Sequence, residues 1–256
     1  MLAFIVGTDV GEPGEKEFEA GFTGRFGRST GSYAALNSEL TFQYTPAKNL
    51  IVEISAASDL HHIDNVPGLQ NRNAIAFGGL GVGLTYRFLD RAAGGFGLAA
   101  IAEPHWTRVD DDSGQPVNGY ATDLVLALDK DIVPDRLVGV LNLSMEPEIS
   151  RSRADGTWSR GNTAAVSGGL LLRLSDKVFG GLEARYLRRY DALDFRDFAG
   201  EAFYLGPSVS IALSERAWLT VGWDRQIAGR AAGEHGPLDL VNFDRQQARL
   251  AFGTTF

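Results

Sequence analysis

The sequence predicts an all-β protein, an antiparallel up-and-down β-barrel of about twelve strands. Two observations support this prediction. Apolar and polar residues alternate with a period of two over most of the chain, as in strands with two different faces. The segments between the alternating stretches are alternately short and long, as in successive hairpins. With 256 residues, the chain is long enough to form one such barrel.

The alternation assigns the strands in order from residue 17. The apolar sides of the first four strands are Phe18 to Phe26, Leu36 to Tyr44, Val52 to Ala56 and Leu80 to Phe88. Further strands are predicted to begin near Phe96, Tyr120, Leu137, Ala164, Phe179, Ala202, Trp218 and Phe243. Residues 1–16 contain Gly7, Gly11, Pro13 and Gly14, so a lead-in without regular structure is expected before a barrel at 17–256.

The connections fall into two sets. One set is short: Thr45–Asn49, Asp90–Gly95, Asp129–Arg136, Ser175–Lys177 and Ser214–Ala217. The other set is long and polar: Ser58–Asn73, Val109–Gly119, Arg151–Asn162, Arg189–Glu201 and Ala228–Asn242, with a short first member at Arg28–Ser32. All connections of one set must lie at the same end of an up-and-down barrel. Both termini are predicted to lie at the short-turn end.

Aromatic residues cluster near both ends of the predicted strands. One set comprises Tyr44, Tyr86, Phe88, Phe96, Trp218 and Phe256, and the other Tyr33, Phe77, Trp106, Tyr120, Tyr186, Phe203 and Trp223. Two aromatic girdles around an aliphatic band are typical of membrane–water interfaces. The opposite face of the strands holds Glu, Arg, Gln, Asn and Gly, which suits a polar lumen. A transmembrane barrel is therefore predicted. A soluble sandwich with one solvated face is the alternative.

The last strand supports this prediction. Ala248, Leu250, Phe252, Thr254 and Phe256 share one face, and the chain ends on that phenylalanine. This pattern resembles the closing strand of Gram-negative outer-membrane β-barrels of the small porin-like class. The resemblance implies an integral outer-membrane location, contact with the lipid bilayer and lipopolysaccharide, and recognition of the Phe256 strand by the barrel-assembly machinery. It also implies that the short turns lie on the periplasmic side, with residues 1–16 as a periplasmic lead-in, and that the long loops are extracellular.

The composition excludes several classes of protein. No run of eighteen apolar residues is present, so a membrane-spanning helix is not predicted. The absence of Cys rules out disulfides and thiolate metal sites. The net charge of −8 argues against nucleic acid as a partner. Residues 1–6 lack the features of a secretory signal, so the sequence is expected to represent a mature form. No cofactor is expected.

Three prolines, Pro104, Pro147 and Pro207, lie inside predicted strands. A proline cannot donate a ladder hydrogen bond, and a closed barrel has no free edge on which to place it. We therefore expect irregular pairing at these positions. Pro104 and Pro147 should lie near the long-loop ends of their strands, and Pro207 should lie at a bulge.

The lumen face carries the candidate functional residues. Glu103-Pro104-His105 and Glu146-Pro147-Glu148 occupy equivalent places two strands apart, with Asp123 on the strand between. These side chains are predicted to form an acidic wall toward the long-loop end. Charged lumen residues from other strands are expected to oppose or pair with it: Arg25, Arg87, Arg173, Glu183, Arg185 and Arg249. Together these eleven residues are the predicted pore lining.

Three functions remain open at this point. The first is passive passage of small hydrophilic solutes, selected by a transverse field across the lumen. The second is a barrel plugged by its own ion pairs, whose outer loops bind something. The third is a hydrolase at the rim that uses Asp59, His61 and Asp110 or Asp112. A weak calcium loop at Asp110-x-Asp112-x-Gly114 lacks the twelfth-position Glu and is better explained as a surface turn.

Overall fold

The computed structural model describes residues 1–256 and is a closed barrel of twelve antiparallel strands. The strands are β1 (Lys16–Phe26), β2 (Ser32–Ala47), β3 (Leu50–Asp64), β4 (Arg72–Leu89), β5 (Phe96–Val109), β6 (Pro116–Val133), β7 (Leu137–Ser152), β8 (Trp158–Arg173), β9 (Val178–Tyr190), β10 (Phe198–Ala212), β11 (Ala217–Ala231) and β12 (Gln246–Thr255). One short helix, α1 (Arg91–Gly94), lies between β4 and β5. No helix has the length and apolarity that crossing a membrane requires. The predicted fold class and strand number are confirmed.

The barrel closes by pairing its first and last strands. β1 runs antiparallel to β12, from Glu17 opposite Thr255 to Phe26 opposite Gln246. Leu250 is 40% exposed on the outer face, whereas Ala251 is buried toward the lumen. Closure leaves no unpaired sheet edge, so every strand finds backbone partners on both sides. The alternation read from the last ten residues therefore describes a real strand with one outer and one inner face.

The outer surface is apolar. Exposed large hydrophobic side chains occur on every strand, among them Ile75, Phe77, Tyr120, Leu182 and Val221. Exposure on this scale in one continuous band fits contact with lipid rather than water. Two predicted girdle residues are exceptions. Tyr33 is buried in the lumen, and Trp218 donates from Nε1 to Glu17 Oε1 at 3.1 Å, so both point inward because of their parity on β2 and β11.

The strands are longer than the sequence predicts. β3 continues to Asp64 and β4 begins at Arg72, so residues 58–64 and 72–73 are strand rather than loop. The other long connections shorten in the same way, to residues 110–115, 153–157, 191–197 and 232–245. Near the rim both faces of a strand contact water, so the alternation of apolar and polar residues is lost although the backbone hydrogen bonds continue. We call this rim the loop end and the opposite rim the turn end.

Each of the three prolines interrupts the ladder on one side only. Pro104 stays paired with Thr122 of β6, but pairing with β4 lapses between His105 and Ala102. Pro147 pairs with β8 and breaks the pairing with β6, and Pro207 pairs with β9 and breaks the pairing with β11. The missing proline N–H explains each gap. β10 also has a register shift at Phe203 and Tyr204, close to Pro207.

Candidate functional site

A cavity of about 300 Å³ lies inside the lumen against the wall formed by β2 to β7. Its lining includes seven carboxylates and one histidine, and no lysine or arginine. The carboxylates are Glu39, Glu53, Asp59, Glu103, Asp111, Asp123 and Glu146. We call this space the acidic cavity. Side chains at alternate positions of neighbouring strands converge on it because the barrel wall curves around them.

Part of the predicted acidic wall meets at one point of this cavity. Glu103 and Asp123 lie directly opposite each other on β5 and β6. His105 Nδ1 lies 3.5 Å from Asp123 Oδ2, and His105 Nε2 lies 3.9 Å from Glu146 Oε1. Potential metal-ligating atoms of these three residues lie within 4.8 Å of one another. Imidazole and carboxylate donors suit divalent transition metals, so this is the place in the lumen where such a cation would find three protein ligands.

The fifth residue of that wall has a different partner. Glu148 Oε1 accepts a hydrogen bond from Arg189 Nη2 at 3.2 Å. Arg189 was not among the residues predicted from the sequence. Since Arg189 also contacts Asp112, it connects β7 and β9 to the loop between β5 and β6. Glu148 therefore lies above the acidic cavity, in an ion-pair network at the loop end.

The predicted arginines occupy three levels of the barrel. Arg25 lies at the loop end, beside Asp112 at 3.6 Å. Arg185 and Arg249 lie deeper, where they pair with Asp224 at 2.7 Å and Glu19 at 3.5 Å. Arg87 and Arg173 are at the turn end, paired with Asp90 and Asp176. Only the first three oppose the acidic wall across the lumen.

The remaining predicted residue, Glu183, holds the N-terminal segment inside the barrel. Its Oε1 accepts from Ala3 N at 2.7 Å, and its Oε2 accepts from Phe4 N at 2.8 Å. Farther along, Val6 N and O bond to the Asn142 side chain, and Thr8 bonds to Asp129 through both its backbone N and its Oγ1. Residues 2–8 therefore cross the lumen in an ordered path. We call this stretch the N-terminal plug.

Small residues in the barrel wall make room for the plug. A Cβ added at Gly169 or Gly181 would lie 2.5 Å from a methyl carbon of Leu2. Added carbons at Gly222 and Gly97 would meet Ala3 and Thr8. The Arg185 guanidinium stacks 4.2 Å from the centroid of the Phe4 ring on the other side. The plug thus fits a shaped groove, which the glycine-rich strands provide.

The interactions that hold the plug exceed the cost of ordering it by only a few kcal/mol. Its four bonds to the carboxylates of Glu183 and Asp129 contribute about 6–12 kcal/mol, and its two bonds to Asn142 about 2 kcal/mol. Burial of Leu2 and Ile5 adds about 3–6 kcal/mol. Ordering the backbone of residues 2–8 costs about 7–14 kcal/mol, and ordering the side chains adds to that cost.

At the loop end, the β5–β6 loop (residues 110–115) folds into the lumen. Asp112 lies among three guanidinium groups: Arg28, Arg189 at 3.2 Å and Arg25 at 3.6 Å. Tyr33 Oη donates to the Asp112 backbone oxygen at 3.0 Å, and Arg25 bonds to the Asp111 oxygen. Burial by itself raises the pKa of Asp112, but the guanidinium groups outweigh burial and hold the pKa below its ordinary value.

The β11–β12 loop (residues 232–245) adds a third insertion. Asp239 and Asp244 are fully buried, and Phe243 packs against Tyr204. Gln226 Nε2 donates to the Asp239 backbone oxygen at 2.9 Å, and Arg28 Nε donates to Asp244 Oδ1 at 2.8 Å. Arg28 therefore ties the two inward loops together, since it bonds to both Asp112 and Asp244.

The residues of the expected rim hydrolase each have other bonding partners. Asp59 and His61 lie on β3 rather than in a loop, with Asp59 accepting from Asn37 Nδ2 at 2.9 Å. His61 Nε2 lies 2.9 Å from the Asp111 backbone oxygen, which can only accept, so that nitrogen carries the proton. Asp110 bonds to Ser113 in its own turn, and Asp112 is held by arginines. The calcium-loop carboxylates are thus already engaged.

Sequence reasoning missed two features of the lumen. The carboxylates Glu39 and Glu53 face the acidic cavity, and their inward parity on β2 and β3 could have indicated this. Asp59, expected only as a candidate for a rim hydrolase, faces the same cavity. The plug gave a weaker signal, because residues 2–6 are apolar and precede a glycine- and proline-containing stretch. Partners such as Ala3 and Glu183 are separated by 180 residues, so no local pattern links them.

The fold and the lumen together define the class of protein. A closed twelve-stranded barrel with an apolar exterior and a charged interior has the architecture of outer-membrane channels and porins. A family model described as a family of unknown function (DUF6662) matches residues 1–256, so the chain belongs to that family. A search of curated proteins gives no match.

Solved structures share the architecture. The COG4313 outer membrane channel from Pseudomonas putida F1 is similar with a TM-score of 0.67 at 11% identity, over 97% of this chain and 98% of that one. The NanC porin gives a TM-score of 0.54 at 11% identity, over 93% and 98%. The beta domain of the Bordetella autotransporter Brka gives 0.57 at 14% identity, over 95% and 100%. At these identities the similarity concerns the fold.

Proposed function

We propose that the protein is a passive pore for small hydrophilic solutes in the Gram-negative outer membrane, with a preference for cations. The acidic cavity supports this most directly, because seven carboxylates line it without a lysine or arginine. A charged lumen with low-dielectric walls concentrates counter-ions and repels ions of like charge. The electrostatic free energy of a small cation is therefore lowered in the cavity, whereas that of an anion is raised.

The two sides of the lumen carry opposite charge. The acidic cavity lies along β2 to β7, whereas Arg25, Arg185 and Arg249 project from β1, β9 and β12. Each of these arginines has a carboxylate within 4.0 Å. Among the residues that line the acidic cavity, in contrast, His105 is the single basic side chain. The acidic groups that lack a guanidinium partner therefore lie within the cavity.

In this proposal, the lumen is narrowed at both ends. The N-terminal plug narrows the path toward the turn end, and the β5–β6 loop narrows it toward the loop end. The membrane location agrees with the apolar exterior and with β12 as a closing strand that assembly machinery can recognise. The competing function is a permanently plugged barrel whose outer loops bind a partner.

Neutralising the cavity should reduce the cation preference of the pore. We expect Glu53→Gln, Glu103→Gln and Glu146→Gln together to shift the reversal potential toward zero in a salt gradient, because neutral amides replace three of the seven carboxyl groups in the cavity. The measurement is single-channel recording of refolded protein in planar bilayers. It is made on the intact chain and on a chain without residues 2–9, so that the plug does not mask the result.

The matched control removes the same charge elsewhere. Asp191→Asn, Glu215→Gln and Glu234→Gln change exposed carboxylates outside the lumen and should leave selectivity unchanged. An equal shift in both triple variants would show that the cavity is not the filter. A silent bilayer from both chain lengths, with correctly folded barrels, would overturn the pore and favour the plugged interaction barrel.

A further inference from the structure

A group of arginines lies on the outer surface of the barrel at the loop end of β5 to β8. Arg108, Arg151 and Arg160 are on strands, and Arg153 is in the β7–β8 loop. We call these four residues the arginine patch. Asn118 is opposite Arg151, and Arg151 is opposite Trp158, so the patch is continuous across neighbouring strands. It forms a basic surface on a protein with a net charge of −8.

Tryptophan rings lie within the patch, with Trp158 opposite Arg151 and Trp106 at the level of Arg160. The Arg108 guanidinium lies 5.2 Å from the Trp106 ring centroid, and the Arg151 guanidinium lies 5.7 Å from that of Trp158. Trp106 Nε1 also donates to Asn118 Oδ1 at 2.7 Å. Tryptophan rings near strand ends mark the membrane–water interface. The guanidinium groups are thus held at the level of lipid headgroups.

The patch has no protein counter-ion. None of its four arginines has a carboxylate oxygen within 4.0 Å, although arginines on the other side of the same rim do. There, Arg188 and Arg230 lie 3.7 and 3.5 Å from the Glu201 carboxylate. Asp155, two residues after Arg153, accepts from Thr157 N at 3.1 Å within its own turn. The patch is therefore open to an anion from outside the protein.

A cleft of about 340 Å³ lies within the patch, lined by Asn118, Arg151, Ser152, Arg153 and Gly156. None of these five side chains is hydrophobic. Guanidinium groups bind phosphate through paired N–H donors, and the cleft also offers amide and hydroxyl donors. Its chemistry fits a phosphorylated headgroup better than an acyl chain or an uncharged sugar.

We propose that the arginine patch binds the phosphate groups of a lipopolysaccharide molecule in the outer leaflet. The acyl chains of that molecule then lie along the apolar exterior below Trp106 and Arg160. This exterior is continuous with the patch. The proposal uses the outer-membrane location given above but not the pore. The site would fix the barrel to specific lipids on the β5–β8 side.

The test compares two sets of arginine variants for binding of lipopolysaccharide in a neutral detergent, measured by native mass spectrometry. Arg151→Gln, Arg153→Gln and Arg160→Gln together should weaken binding about tenfold, as expected for the loss of three exposed charge contacts. Arg188→Gln with Arg230→Gln removes charge at the same rim and should leave binding unchanged. Chemically dephosphorylated lipopolysaccharide should bind the wild type as weakly as the intact lipid binds the triple variant.

Equal binding by the triple variant and the Arg188/Arg230 control would overturn the proposal. Undiminished binding of the dephosphorylated lipid would also overturn it. Arg153→Gln alone, in a loop, gives a smaller loss in the same direction and guards against misfolding of the triple variant. Single-channel conductance of the triple variant should match the wild type. A failed lipid site is therefore distinguishable from a failed pore.

Discussion

Removal of residues 2–9 is expected to raise single-channel conductance several-fold. The N-terminal plug fills the lumen between β5 and β11, and its deletion opens that cross-section to water and ions. The barrel should still fold, because no strand includes these residues and β1 begins at Lys16. The measurement is conductance in planar bilayers, alongside the faster gel mobility that a folded barrel shows before heating.

Two point variants test the plug without shortening the chain. Glu183→Ala removes both acceptors of the Ala3 and Phe4 amides, so we expect frequent transitions to the high-conductance state. Glu183→Gln keeps one acceptor and should give an intermediate open fraction. Gly222→Leu should also displace the plug, because its side chain occupies the position of Ala3. Identical conductance in the deletion variant and the wild type would show that the plug does not limit passage.

Asp112→Asn is expected to release the β5–β6 loop from the lumen. The substitution leaves Arg25, Arg28 and Arg189 close together without their shared carboxylate. The network is partly buried, with the Asp112 side chain 21% exposed, so breaking it should cost less than the 3–5 kcal/mol of a fully buried pair, about 2–3 kcal/mol. Limited proteolysis should then cut within residues 110–115, and the conductance should rise at the loop end. Asp155→Asn, which changes an exposed aspartate in the next loop, is the matched control.

The same carboxylate predicts how the loop responds to pH. Because the folded-state pKa of Asp112 lies below its ordinary value, its stabilisation is complete above the unfolded pKa. It is lost only as the pH falls through the lower, folded value. We therefore expect the wild-type loop to resist proteolysis equally at neutral pH and at about pH 5, where an ordinary aspartate remains ionised. Loop release on mild acidification would contradict this assignment.

The acidic wall shows which part of the candidate site can be predicted from the sequence. Parity on β5, β6 and β7 places Glu103, Asp123 and Glu146 on the lumen face, and the structure brings them together at one cavity. That they line a pathway for solutes stays a prediction. Parity also explains the wrong prediction for Tyr33. Counting one position differently along β2 moves a residue from the outer face to the lumen face.

The alternation of residues was enough to predict the barrel, about twelve strands and the closing role of the last strand, because a period of two is a local property of each strand. The groups that fill the lumen became visible only in the folded structure. The bonds from Ala3 to Glu183 and from Arg28 to Asp244 join residues 180 and 216 positions apart. Such partners meet only after the barrel has closed, since closure gives the lumen its curvature and places distant loops over one mouth. Local alternation of residues therefore predicts the barrel wall. The groups inside the lumen depend on contacts between distant residues, which form only in the closed barrel.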